Sequence, residues 1–123
     1  MSGTAVEKLP DFDDAEAAWG AMKLLPSRTG LPMAAWITAN EGWPHDVRVK
    51  VSRIHGGRGA RSTAASMAVR PRPREIVPGS LSAHDFALAS CWIELNRQLI
   101  IDVWNGQVDC VAEDVYPLLR RLP

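Results

Sequence analysis

Cysteine, histidine and long apolar runs are all scarce in this chain, and each scarcity closes off a class of function. Two cysteines, Cys91 and Cys110, stand among 123 residues. They cannot form a disulfide framework. The opening MSGTAVEKLPDF lacks a basic segment followed by an apolar one, so no secretory signal is read there, and both thiols are expected reduced in a cytoplasmic chain. No apolar run approaches ~18 residues, which excludes a membrane-spanning helix. The three histidines, His45, His55 and His84, have neither helical i, i+4 spacing nor the loop spacing of a zinc site, and the cysteines form no CxxC. No metal or other cofactor is therefore expected.

Catalytic signals are missing as well. Ser80 and Ser82 have no nucleophile-elbow context, no carboxylate pair stands out, and spacing gives no support to a Cys91–His84 or Cys110–His pair. The loop GGRGARST invites comparison with a phosphate-binding P-loop. It departs from that motif because Ala60 and Arg61 stand where Gly and Lys are required, and a strand rather than a helix is expected next. The sequence points away from an enzyme.

What the chain does have is an ordinary core and an unusual distribution of charge. At 123 residues and 46% hydrophobic content it suits one globular domain. Its zero net charge hides a segregation. Residues 1–46 carry seven acids and three bases, 47–74 carry eight bases and no acid, and 75–123 carry seven acids and three bases. The basic block comprises Arg48, Lys50, Arg53, Arg58, Arg61, Arg70, Arg72 and Arg74. Such a block meets either a polyanionic or acidic partner or the acidic segments that flank it.

Taken in order, residues 1–12 read as a flexible N-terminus and 13–123 as a single domain. Asp13 or Asp14 can cap a helix over AEAAWGAMKLL, with Ala18, Trp19, Met22 and Leu25 near one face, ended by Pro26 and Gly30. Met33–Ala39 reads as a strand, and Asn40 to Pro44 as a turn. Asp46–Ile54 alternates cleanly, with Val47, Val49 and Val51 on one face and Arg48, Lys50 and Ser52 on the other, as a half-buried strand does. A flexible loop over 55–61 leads to a third strand, Ser62–Arg70, with Ala65, Met67 and Val69 on one face. Pro71 and Pro73 require an edge or connection. A short fourth strand is expected over 74–77.

The longest helical pattern runs over 83–105. Ser82 is its N-cap with Asp85 three residues on, and Asn105-Gly106 ends it. Leu88, Ala89, Trp92, Ile93, Leu95, Leu99, Ile100, Val103 and Trp104 share one half of the wheel, wide enough to cover a sheet. Asn96 falls inside that arc, where a buried amide must find partners or cost about 1–3 kcal/mol; a bond to the sheet or to the C-terminal turn is expected. Ile101 lies on the polar side and is expected exposed unless the C-terminal segment or a second subunit covers it. Beyond Gly106, Asp109 or Asp114 can cap one or two short turns that return Val115, Leu118, Leu119 and Leu122 to the core. The layout is α+β: an antiparallel meander of three to four strands covered by one long helix and a short C-terminal helix, preceded by an N-terminal helix.

For function, the basic strand-loop-strand at 48–74 is the leading contact face, suited to a phosphate backbone or an acidic protein. The block holds no aromatic residue, which argues against recognition of unpaired bases by stacking. A second reading is a homodimeric protein–protein module using Trp43, Ile101 and the N-terminal helix, because exposed aromatics are enriched in interfaces.

Three short stretches, Pro44-His45-Asp46-Val47-Arg48-Val49, Ile93-Glu94-Leu95-Asn96-Arg97 and Asp102-Val103-Trp104-Asn105-Gly106, resemble a class of small bacterial domains of unknown function. In that class a Pro-His turn precedes a Val-rich strand, and a C-terminal helix of the type Leu-Asn-Arg…Trp closes the domain. The resemblance spans roughly Met33 to Leu122. It implies a strand meander with C-terminal helices and a regulatory or accessory role, and carries over no catalytic residue.

Overall fold

A computed structural model describes residues 21–123. The expectations for residues 1–12, the caps at Asp13 and Asp14, and Ala18 and Trp19 lie outside the described residues.

Five strands form one antiparallel sheet in simple meander order: β1 (Ala21–Leu24), β2 (Ala35–Thr38), β3 (Arg48–Val51), β4 (Ala65–Ala68) and β5 (Arg74–Glu75). Among the described residues four α-helical segments accompany it: α1 (Pro26–Thr29), α2 (Ala83–Leu95), α3 (Arg97–Trp104) and α4 (Ala112–Val115). The protein is α+β, with the sheet formed before the long helices in chain order. Among the described residues no helix is long and apolar enough to cross a membrane.

The strand at β1 corrects the expected N-terminal helix over its last residues. AMKL suits a helix by propensity, but its residues also alternate, and pairing with β2 decides the outcome. Met22 faces Ile37 and Leu24 faces Ala35 across the ladder, so Met22 and Leu24 are buried together. Long-range pairing outweighs a propensity preference of a few tenths of a kcal/mol per residue. Pro26 therefore opens the short α1 rather than ending a helix, as suits its fixed φ and missing N–H.

Alternation places Met22, Leu24, Ala35, Ile37, Val49, Val51, Ala65 and Met67 on one sheet face, all within the core cluster. Against that face pack Ala89, Trp92 and Ile93 of α2 and Leu99, Ile100, Val103 and Trp104 of α3. Trp92 is the largest of the side chains with no exposure.

The helix expected over 83–105 is two helices that meet at Asn96. Ser82 does cap α2, its hydroxyl accepting from the Asp85 N–H at 3.1 Å. At Asn96 the backbone leaves helical geometry (φ −112°, ψ 17°). The side chain explains the break. Asn96 Nδ2 donates to the carbonyls of Trp92 (3.1 Å) and Arg120 (2.9 Å), and Oδ1 accepts from the Arg120 N–H at 2.7 Å. An amide that bonds nearby backbone competes with the helical ladder, and here it also fastens the C-terminal segment. Leu95, beside the break, is 37% exposed rather than in the core.

The C-terminal segment differs from expectation in its cap. Val111 is the N-cap residue of α4, and Asp114 sits in its first turn; Pro117 belongs to the 3₁₀ turn that follows. Val115 is fully buried and Leu119 and Leu122 pack on the core, whereas Leu118 is 54% exposed. The chain end docks on α1: Leu122 N–H donates to Thr29 O at 2.8 Å, and the Arg28 guanidinium lies 3.9 Å from the Tyr116 ring centroid. Gly30 closes α1 at φ +80°, and a Cβ there would meet Leu122 O at 2.7 Å. Only glycine satisfies both the left-handed backbone and that approach.

The third strand starts later than the pattern indicates, since Arg61–Thr63 forms a 3₁₀ turn and pairing begins at Ala65. The loop over 55–61, expected to be flexible, is fastened at three points. Gly56 N–H donates to Pro32 O at 2.7 Å and His55 Nε2 is 3.0 Å from both Asp85 carboxylate oxygens. Gly59 lies against Ser52, whose hydroxyl donates to Ile54 O at 2.9 Å.

Candidate functional site

The second face of the sheet is where the polar alternation goes. Directly opposed residues share a face, so one row runs Lys23, Trp36, Lys50, Ser66 across β1 to β4. A second row runs Arg48, Ala68, Arg74 across β3 to β5. The two rows present different surfaces. Near β1 and β2 the face is closed: Trp36 and Ala21 are each 3% exposed, and Lys23 Nζ lies 5.5 Å from the Trp36 ring centroid. Toward β5, small and buried Ala68 lies between half-buried Arg48 and exposed Arg74.

An open cleft of about 390 Å³ lies over β2 to β4 on this face, lined by Thr38, Trp43, His45, Arg48, Lys50, Arg61, Ser62 and Ser66. Among the described residues, the charged side chains that line it are all basic. Of the eight cations in the block, the cleft brings together Arg48, Lys50 and Arg61, with Arg74 in Arg48's row. Arg53 and Arg58 sit in the β3–β4 connection and Arg72 in the β4–β5 connection, all three exposed. Arg70 is committed elsewhere. Its Nε and Nη2 each donate to Asp46 at 2.8 Å, and this bidentate bond holds the Asp46 carboxyl below its usual range.

The aromatic wall of the cleft comes from outside the basic block, from the turn at 40–45. Asn40 builds that turn: its Oδ1 accepts from Gly42 N–H (3.0 Å) and Trp43 N–H (2.9 Å), and its own N–H donates to Trp104 O at the end of α3 (3.0 Å). Trp43 then stacks on His45 with centroids 5.6 Å apart, and His45 on Trp104 at 5.8 Å. His45 Nδ1 lies 2.7 Å from Asp46 O, where its N–H donates and fixes the ring. Trp104 is buried at 5% exposure while Trp43 is 47% exposed, so the column is rooted in the core and ends at the surface. The sequence presents His45 as a possible metal ligand and as part of the Pro-His turn, and it gives Thr38, Ser62 and Ser66 no functional role. The Pro-His turn leading directly into a basic-faced strand was the available signal.

The other sequence candidates lie apart. Ile101 is half-buried against the core within the single chain, and Asn96 serves the structural contacts described above. Cys110 is half-buried with Sγ 3.9 Å from Ile37 O, and burial pushes its thiol up to about 11. Among the described residues, no histidine lines the hollow of about 750 Å³ that includes Cys110. Cys91 is exposed on α2. Among the described residues no group of three His, Cys, Asp or Glu side chains could hold a metal ion.

Comparison with protein-family models, with curated proteins and with solved structures finds no match to this chain. Its geometry carries the functional argument.

Proposed function

We propose that this chain is a non-enzymatic binding or accessory module whose contact face is the β3–β5 end of the basic sheet face, and that its partner is a polyanion. One observation carries this: Arg48 and Arg74 flank Ala68 from the strands on either side of it, and Arg48 also lines a cleft whose charged lining, among the described residues, is all basic. Guanidinium groups match phosphate and carboxylate geometry, and a row of them on a flat strand surface suits a repeating anion better than a single one. The remaining arginines, Arg53, Arg58 and Arg72, add long-range attraction from the connections.

The test is a titration of inorganic polyphosphate at low and high salt, with light scattering to fix the assembly. Binding should weaken as salt rises, and Arg48→Gln with Arg74→Gln should weaken it further at low salt. Absence of binding at low salt, or no response to the double substitution, would overturn the reading.

A homodimeric protein–protein module is the second reading, favoured by the exposure of Trp43. Its other supports are weaker, because Ile101 is half-buried within one chain and residues 21–24 of the expected helix are strand. It predicts a dimer by light scattering that is insensitive to salt.

A further inference from the structure

We infer that the anion this cleft selects is a nucleotide unit, with its base stacked on Trp43 and its phosphate held at Arg48. The inference rests on the polyanion reading above and narrows it. The chemistry is that of an unpaired nucleobase linked to a phosphate, whether in a free mononucleotide or in a single-stranded nucleic acid.

Three observations converge. First, His45 occupies one face of the Trp43 ring, yet the indole remains 47% exposed and lines the cleft, so the aromatic column has an open end. Every base has a π-face, and stacking on an exposed aromatic is how unpaired bases are held without reading their edges. Second, the column is rigid before any ligand arrives. Trp43 is placed by the Asn40 turn, His45 by its bond to Asp46 O, and Trp104 by the core. A pre-set aromatic loses little freedom on binding. Third, Arg48 lines the same cleft as Trp43, with the hydroxyls of Ser62 and Ser66 available to phosphate or ribose oxygens, while the Thr38 hydroxyl donates to Ala39 O. At about 390 Å³ the cleft falls within the range of ligand sites, roughly 300–1,000 Å³.

The basic block by itself argues against stacking because it contains no aromatic residue. The fold supplies the missing component from the preceding turn. A duplex does not fit this arrangement, since its bases are already stacked and paired.

The experiment titrates three probes into the intact protein: a fluorescent ten-nucleotide oligouridylate, adenosine monophosphate, and base-free inorganic polyphosphate. Variants are Trp43→Ala, Trp43→Phe and Arg48→Gln. Trp43→Ala should lower oligonucleotide affinity about tenfold or more and leave polyphosphate binding unchanged. Trp43→Phe, which keeps a ring, should retain most of the affinity while abolishing the ligand-induced quenching of tryptophan emission. Arg48→Gln should weaken all the probes that bind. Saturable binding of adenosine monophosphate would assign the site to a free nucleotide, and binding of the oligonucleotide alone would assign it to a strand.

Oligonucleotide affinity unchanged in Trp43→Ala, with polyphosphate still bound, would overturn the nucleotide inference and leave the polyanion reading standing. Failure of all three probes at low salt would overturn both. Equal, Trp43-independent binding of double-stranded DNA would also overturn the inference.

Discussion

The two faces of the sheet are built from the same strands and obey opposite rules. On the inner face Val49, Val51 and Met67 have no exposure and meet Trp92, Ile93 and Ile100 from two helices. On the other face the alternate residues of the same strands, Arg48, Lys50 and Ser66, are half-exposed and line a cleft. Period-2 alternation makes this division automatic once pairing is set, since neighbouring residues cannot share a face. The core therefore resides on one face and the proposed contact surface on the other, with few residues serving both. Trp104 is the exception: it belongs to the core cluster and also roots the His45–Trp43 column.

Substitutions test how complete that division is. The largest effect is expected at the centre of the inner face. Trp92→Ala should cost about 3–5 kcal/mol in urea unfolding. Trp92→Phe should cost markedly less, because the indole N–H is buried without a hydrogen-bond partner and its removal relieves that defect. Equal costs for the two would place the value of Trp92 in its N–H rather than its packing.

Next comes Asn96→Ala, which strips the Arg120 N–H and carbonyl of their partner and should cost about 1–3 kcal/mol. Hydrogen exchange should show the loss concentrated in residues 115–122. A uniform loss across the sheet would contradict the role of Asn96 as the fastener of the chain end.

The thiols extend the contrast from stability to reactivity. At pH 8, iodoacetamide should modify exposed Cys91 first. Burial raises Cys110 from 9.0 to about 11, which lowers its thiolate fraction by about a hundredfold. Comparable alkylation rates by mass spectrometry would show that the segment over Cys110 opens readily.

Smaller effects are expected on the polar side. Asp46 is held below its usual value of 3.8, first by the hydrogen bonds from Arg70. A depressed carboxyl contributes stability that is fully present above 3.8 and is lost as pH falls through the lower folded value. The pair is about half exposed, so this contribution is small. Arg70→Gln should move the Asp46 titration midpoint back up in an NMR pH series; an unmoved midpoint would assign the depression to another cause. Smallest of all, Arg48→Gln should change stability by no more than about 0.5 kcal/mol, even though it is expected to impair binding. A larger loss would mean that the basic face also holds the fold together.

Local chemistry made much of this legible. The alternation of Val47 to Ser52 gave β3 and both its faces, Ser82 and Asp85 gave the start of α2, and Asn96 declared itself as a polar residue in an apolar arc that had to find partners. Of the two partners the sequence leaves open, the sheet and the C-terminal turn, the bonds to Arg120 select the C-terminal segment. The site was only half legible. Its cations were visible as a charge run, but which of them share a cleft was not, because Arg53, Arg58 and Arg70 lie near the others in sequence and are directed elsewhere by the connections and by Asp46.

The sequence by itself determined whatever depends on neighbours a few residues apart: strand alternation, the helix cap, the turn residues and the segregation of charge. Tertiary structure decided what depends on partners tens of residues away. It made a strand of Ala21–Leu24, because an edge beside β2 offered backbone pairing that helical propensity could not match. It divided the long helix at Asn96, because Arg120 lay within reach of the amide. It also stacked Trp43 and His45 on Trp104, joining residues from a turn to the end of a helix about sixty positions later. Hydrogen bonds and ring contacts between distant segments leave no period in the sequence, so only the folded chain reveals them.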